Sequence, residues 1–170
     1  MRILGIDPGS RNTGLGLVEF KDGNLCCIGY ECIKMGSEPL PDRLGRIYRD
    51  ITQVIQQYRP DTAAIEQVFV SKNSRSALVL GQARGSAICS VVNADLPIHE
   101  YSALQIKRAV VGTGSAKKEQ VQHMVRVLLG FRELPGSDEA DALACAICHI
   151  HTAQVEARLN HAIGNHAVGQ

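Results

Sequence analysis

The spacing of apolar positions changes several times along the chain, and each change marks an element. Residues 2–7 form an apolar run that stops at Asp7-Pro8-Gly9, a strand followed by a turn. Residues 14–20 (Gly-Leu-Gly-Leu-Val-Glu-Phe) predict a second strand. Lys21-Asp22-Gly23-Asn24 is a turn signal, and residues 25–35 complete an antiparallel meander. The period then lengthens. Leu44, Ile47, Ile51, Val54, Ile55 and Tyr58 recur at helical spacing, so 42–58 is an amphipathic helix stopped before Pro60.

Beyond it, Thr62 to Glu66 is a short buried strand ending in a carboxylate, and 74–92 is a long helix rich in small residues. A strand at 96–100 precedes helices at about 102–110, 117–129 and 138–153. A meander followed by strands alternating with helices predicts an α/β fold. Its core is a mixed five-stranded sheet, an antiparallel three-strand meander plus parallel strands, flanked by helices on both faces. The weak periodicity of 154–170 predicts a flexible tail after a single domain over 1–153.

Composition narrows the class without naming a chemistry. At 170 residues, 45% hydrophobic and 21% charged, the chain can bury one core and does not read as disordered. No stretch reaches the ~18–20 apolar residues of a membrane span. Asp7 interrupts the N-terminal apolar run too early for a secretory signal, so a cytoplasmic location is expected. In that reducing compartment the six cysteines (26, 27, 32, 89, 145 and 148) are expected as small buried hydrophobes rather than disulfides.

The net charge of +1 says little, but its distribution says more. Residues 71–132 hold nine Lys/Arg against three Asp/Glu, a charge of +6, and the remainder holds nine against fourteen, −5. A basic segment set against an acidic remainder suits a phosphate-binding flank beside a carboxylate metal site. Ordinary solvated faces would produce the same numbers.

The acids are the candidate chemistry. Asp7 and Glu66 each end a buried strand, at the side of an α/β sheet where ligands collect. Ser137-Asp138-Glu139-Ala140-Asp141 opens the last helix. An N-cap serine and first-turn acids account for Asp138 and Glu139. Asp141 lies on the same helical face as Asp138, and the residues that follow are apolar. Such a pair is costly unless a cation neutralises it. Oxygen donors without a companion His or Cys cluster favour Mg²⁺ or Mn²⁺ over zinc, and two such ions would suit phosphodiester hydrolysis.

Other motifs compete. Cys145-Ala-Ile-Cys148-His149 has the c-type haem attachment spacing, but it lies inside an apolar helix and no export signal precedes it. His151 next to it lacks a second ligand pair for zinc. Gly112-Thr-Gly-Ser-Ala-Lys117 departs from the phosphate-loop pattern. Asp7-Pro-Gly-Ser10 with Thr13-Gly14 is similar to the phosphate hairpin of actin-like ATPases and sugar kinases, which need a second comparable domain. A non-catalytic binding protein that keeps the same fold is a further alternative, expected to have lost at least one of the acids.

Five segments, in order, resemble the RuvC family of bacterial Holliday-junction resolvases. They are Gly5-Ile-Asp-Pro-Gly-Ser-Arg-Asn-Thr-Gly14, Ile65-Glu-Gln-Val-Phe69, Ser76-Ala-Leu-Val-Leu-Gly-Gln-Ala-Arg-Gly85, Val110-Val-Gly-Thr-Gly-Ser-Ala-Lys117 and Asp138-Glu-Ala-Asp-Ala-Leu143. The resemblance runs from about residue 2 to 152. It implies a ribonuclease H-like fold and a homodimer that nicks opposing strands of a four-way junction, leaving 5′-phosphate and 3′-hydroxyl ends. It further implies cooperation with a branch-migration motor of RuvA and RuvB type; the expectation of Mg²⁺, with Mn²⁺ substituting and two ions per subunit, rests on the carboxylate chemistry above. The family's catalytic, metal-binding acids match Asp7, Glu66, Asp138 and Asp141. Its basic positions near the scissile phosphate match Lys107 and Lys118, and its junction-contacting aromatic matches Phe69. Lys117 joins the DNA-binding candidates because Lys117-Lys118 opens a helix whose amides favour phosphate. The glycines four apart in 74–92 permit close helix–helix approach, and that helix is the expected two-fold contact.

Overall fold

The computed structural model describes residues 1–68 and 74–167, with only the backbone over 161–167. Ten elements follow in order: β1 (Arg2–Asp7), β2 (Asn12–Lys21), β3 (Asn24–Lys34), α1 (Leu40–Tyr58), β4 (Thr62–Glu66), α2 (Ser74–Val92), β5 (Ile98–Tyr101), α3 (Ala103–Val111), α4 (Lys118–Leu128) and α5 (Ser137–Ala167). The strands form one sheet in the order β3-β2-β1-β4-β5, antiparallel across β3, β2 and β1 and parallel from β1 through β4 to β5. This is the mixed sheet the periodicity predicts.

Side-chain alternation sorts the sheet into two cores. Leu4, Ile6, Leu15, Leu17, Ala63 and Ile65 face α1 and α2. Ile3, Val18 and Ala64 face α3, α4 and α5. Glycines let α5 lie directly on the second face. A Cβ on Gly5 would stand 2.0 Å from the Ala142 carbonyl oxygen, and one on Gly14 2.0 Å from that of Asp138. Side chains there would hold the helix off the sheet, so these absences set the height of α5 above β1 and β2.

Local chemistry explains the boundaries. Asp22 and Gly23 both have positive φ, 52° and 82°, as a two-residue hairpin with a type I′ turn requires. The helix α1 starts two residues before the expected position, because Pro41 is tolerated in a first turn. It ends on Arg59 in the left-handed conformation, just ahead of Pro60. The last strand starts at Ile98 rather than 96. Pro97 has no N–H for the ladder, although its carbonyl accepts from Ala63 N at 2.8 Å.

Two expectations need correction. The last helix does not end at 153 as expected: its backbone continues through 167. Val155 and Leu159 are exposed on it, so apolar burial does not pattern 155–160. The cysteines are not uniformly buried: Cys145 and Cys148 lie in the core, Cys27 and Cys32 are half-buried, and Cys26 and Cys89 are exposed. None is disulfide-bonded. The Cys145–His149 stretch belongs to the core as well. Cys145, Cys148 and His149 are all buried, and His149 Nδ1 lies 2.7 Å from the Tyr101 hydroxyl.

Candidate active site

The same alternation that builds the cores delivers the acids. Ile3, Gly5 and Asp7 point to the α5 side of β1, and Ala64 and Glu66 to the α5 side of β4. Ile6 pairs with Ile65 in the parallel ladder, so Asp7 and Glu66 leave the sheet side by side. The first turn of α5 passes over this edge because Gly5 and Gly14 admit it. Asp138 and Asp141 thereby arrive above Asp7 and Glu66, and α3 and α4 close the flank. Glu66 and Asp141 line a cleft of about 220 Å³ with Lys107, Lys118, Ala103, Ile106 and Val121.

Electrostatics register this convergence. The Asp7 carboxyl is pushed up to about 8, first by burial, then by the negative charges of Asp141 and Glu66, with Lys118 opposing and Asp138 adding to the rise. Burial raises Glu66 as well, with Asp141 adding to it and Lys118 and Lys107 pulling back. Asp141 is raised by burial against the hydrogen bond and charge of Lys118. Burial disfavours the Lys118 ammonium, but its bond to Asp141 and the charges of Asp141, Asp7 and Asp138 outweigh this and lift its pKa. Lys118 Nζ stands 2.6 Å from Asp141 Oδ2.

Asp138 is held differently. Asn12 Nδ2 donates to its Oδ2 at 3.1 Å, and the Cys32 thiol approaches the same oxygen at 3.8 Å. Glu66 is braced through its backbone: Arg84 Nε donates to the Glu66 carbonyl at 3.2 Å while Nη2 pairs with Glu100 at 2.5 Å. Sequence reasoning missed Asn12, Cys32 and Arg84. Asn12 lies inside the first resembling segment and Arg84 inside the third, but nothing in their spacing shows which acid each contacts.

The four acids, Lys107 and Lys118 thus come together. Lys117 is exposed at the N-cap of α4, where its backbone N–H donates to Gln120 Oε1 at 2.8 Å. Phe69 lies outside the described residues. As the side chains stand, no group of three or more His, Cys, Asp and Glu among the described residues is arranged to hold a metal ion. The donor set nonetheless fits a hard divalent cation: every donor is a carboxylate oxygen, and Asp7 carries a load of mutual repulsion that such a cation relieves. Lys118 holds Asp141 in this conformation, and carboxylates reorient by rotation about single bonds.

No helix among the described residues is long and apolar enough to cross a membrane. Residues 3–149 match the family model described as crossover junction endodeoxyribonuclease RuvC. A protein of that description from Tolumonas auensis is 55% identical over 157 residues, covering 92% of this chain and 91% of its own. One from Photobacterium profundum is 58% identical over 150 residues, covering 88% and 87%. Among solved structures, RuvC of Thermus thermophilus superposes with a TM-score of 0.83 at 36% identity, covering 92% of this chain and 97% of that one. The same enzyme in complex with Holliday junction substrate gives 0.83 at 33%, covering 91% and 96%. The yeast mitochondrial resolvase Ydc2, at 12% identity and a TM-score of 0.65 over 94% of this chain and 83% of its own, shares the fold. The chain belongs to the RuvC family of crossover junction endodeoxyribonucleases.

Proposed function

We propose that this protein resolves Holliday junctions in recombination and DNA repair, nicking two opposing strands and leaving 5′-phosphate and 3′-hydroxyl ends. The observation that carries the reading is the meeting of Asp7, Glu66, Asp138 and Asp141 at one sheet edge, in a chain of this family. Family membership carries dependence on a divalent metal; we assign Mg²⁺, with Mn²⁺ substituting and two ions per subunit. What the metal supplies when bound is an activated water and charge stabilisation at the leaving oxygen.

The chain's own residues do the rest. Asp7, Glu66, Asp138 and Asp141 hold and orient the cations. Lys118 and Lys107, on the wall of the cleft, steady the charge of the scissile phosphate. Lys117 contributes phosphate attraction from the rim. Phe69 stacks on a base at the branch point. A cytoplasmic protein that works with a RuvA- and RuvB-type motor is the setting we assign.

Two opposed nicks call for a homodimer, and α2 is the contact we assign. Ala83, Ala87 and Val91 are buried inside the subunit. Open space surrounds Gly81 and Gly85, and Leu78 is 65% exposed. A two-fold partner can approach that face closely. Sedimentation at micromolar concentration should give a dimer mass; a monomer that still cleaves junctions would remove the dimer.

Incubation with a synthetic four-way junction and Mg²⁺ tests the whole reading. Mapped nicks should fall symmetrically on opposing strands, and Asp7→Asn should bind the junction without nicking it. Wild-type binding without nicking would leave a junction-binding protein in place of the enzyme.

A further inference from the structure

One acid of the cluster, Asp138, is held by two neutral donors. Lys118 occupies an oxygen of Asp141, whereas Asp138 receives the Asn12 amide at 3.1 Å and the Cys32 thiol at 3.8 Å, both on Oδ2. A neutral donor fixes the carboxylate plane and leaves its negative charge undiminished. Both contacts fall on Oδ2, so they set the orientation in which the Asp138 carboxylate would meet a cation.

The backbone on both sides of this contact is anchored. Asn12 opens β2, directly after the loop that follows Asp7. Thr13 is buried beneath that loop, its hydroxyl donating to the Gly9 carbonyl at 2.9 Å. Arg43 Nη1 donates to the Ser10 carbonyl at 2.5 Å, and Met35 N to the Arg11 carbonyl at 2.9 Å. Two residues on, Gly14 lies against the Asp138 backbone so closely that a Cβ would stand 2.0 Å from its carbonyl oxygen. The hairpin carrying Asp7 therefore sits at a set distance from the start of α5, and Asn12 spans the gap.

We propose that Asn12 is a positioning residue for the metal site: its amide orients Asp138 and couples it to the hairpin that carries Asp7. The proposal rests on the nuclease reading above. Outer contacts of this kind change metal affinity by about 10–100-fold when removed.

The test uses the full chain, wild type and Asn12→Ala, with Asn12→Ser as a second variant that keeps a shorter donor. Mn²⁺ binding to the DNA-free protein is measured by calorimetry. Single-turnover nicking is titrated with Mg²⁺, and junction affinity is measured in chelator. Asn12→Ala should weaken Mn²⁺ binding about tenfold and raise the Mg²⁺ needed for half-maximal nicking to match. Asn12→Ser should fall between. Junction affinity should not move, and in an Asp138→Ala background Asn12→Ala should change Mn²⁺ binding no further. A lowered Tm with a wild-type Mn²⁺ isotherm and Mg²⁺ profile would mark Asn12 as merely structural and overturn the proposal. Failure of the wild type to nick junctions would instead remove the nuclease reading, which keeps the two outcomes apart.

Discussion

Lys118 Nζ lies 2.6 Å from Asp141 Oδ2, so the cation at the start of α4 and the acid one turn into α5 hold each other across the cleft. The lysine side chain is 54% exposed and the aspartate 22%, so the pair stands at the mouth of the cleft. If Asp141 holds a metal as proposed, Lys118 and the ion would compete for the same carboxylate oxygen, and the displaced lysine could then turn to a phosphate.

Replacement of Lys118 by alanine should therefore separate two quantities. Mn²⁺ binding to the DNA-free protein should tighten, because Asp141 loses its internal partner. Nicking should slow on the order of 10²–10³-fold, because the phosphate loses a cation where charge develops. Calorimetry and single-turnover kinetics on the same preparation read both. Unchanged nicking would show that Lys118 serves Asp141 alone.

The Asp7 carboxyl, raised from 3.8 to about 8, makes stability pH-dependent. The folded state holds this proton more tightly than the unfolded chain does, so the contribution is present below about 4 and is lost as pH rises to about 8. The raised Glu66 and Asp141 act with the same sign. In chelator, the Tm of the wild type should fall through this window. Asp7→Asn should flatten the fall and be the more stable protein near pH 8, and Mg²⁺ should restore the wild type. Thermal melts from pH 5 to 9 check all three. An Asp7→Asn protein less stable than the wild type at pH 8 would contradict the repulsion described above.

Gly5→Ala and Gly14→Ala should each destabilise by at least about 1–3 kcal/mol, since the added carbon meets helix backbone at 2.0 Å and α5 must lift. Both should also weaken Mn²⁺ binding, because lifting α5 moves Asp138 and Asp141 away from Asp7. Urea denaturation and calorimetry test the two effects. Ordinary stability in either variant would mean that α5 can tilt without cost.

The Tyr101 hydroxyl and His149 Nδ1, 2.7 Å apart, join the end of β5 to the middle of α5. Burial, with the charge of His99 adding to it, holds the His149 pKa down to about 4, so the bond joins a neutral ring to the hydroxyl at neutral pH. Tyr101→Phe should cost about 1 kcal/mol in urea denaturation and leave the Mg²⁺ dependence of nicking unchanged. A shifted Mg²⁺ profile would extend the active-site framework to this pair.

The elements were legible because local spacing encodes them. Alternation in Leu4, Ile6, Leu15 and Leu17 and helical spacing in Ile47, Ile51, Val54 and Ile55 reflect burial on one side or one stripe, and those residues do form the core. The end of α5 was not legible: with Val155 and Leu159 exposed, no buried face imprints a period over 155–160. Cys32 looked like a small core residue, and only its packing beside Asp138 shows a polar contact. The identities of the four acids were readable from strand ends, helix position and family resemblance.

Their convergence was not readable from composition or periodicity. Asn12 and Asp138 are 126 positions apart, and contact between them depends on the order of strands in the sheet and on how closely α5 approaches it. The sequence by itself determined which side chains are acidic, which face of each strand they take and which glycines lack a side chain. Tertiary structure alone decided that those glycines lie beneath α5, that Lys118 answers Asp141, and that Asn12 answers Asp138. Local periodicity reports burial of single residues, whereas a site is a relation between residues that only long-range packing creates.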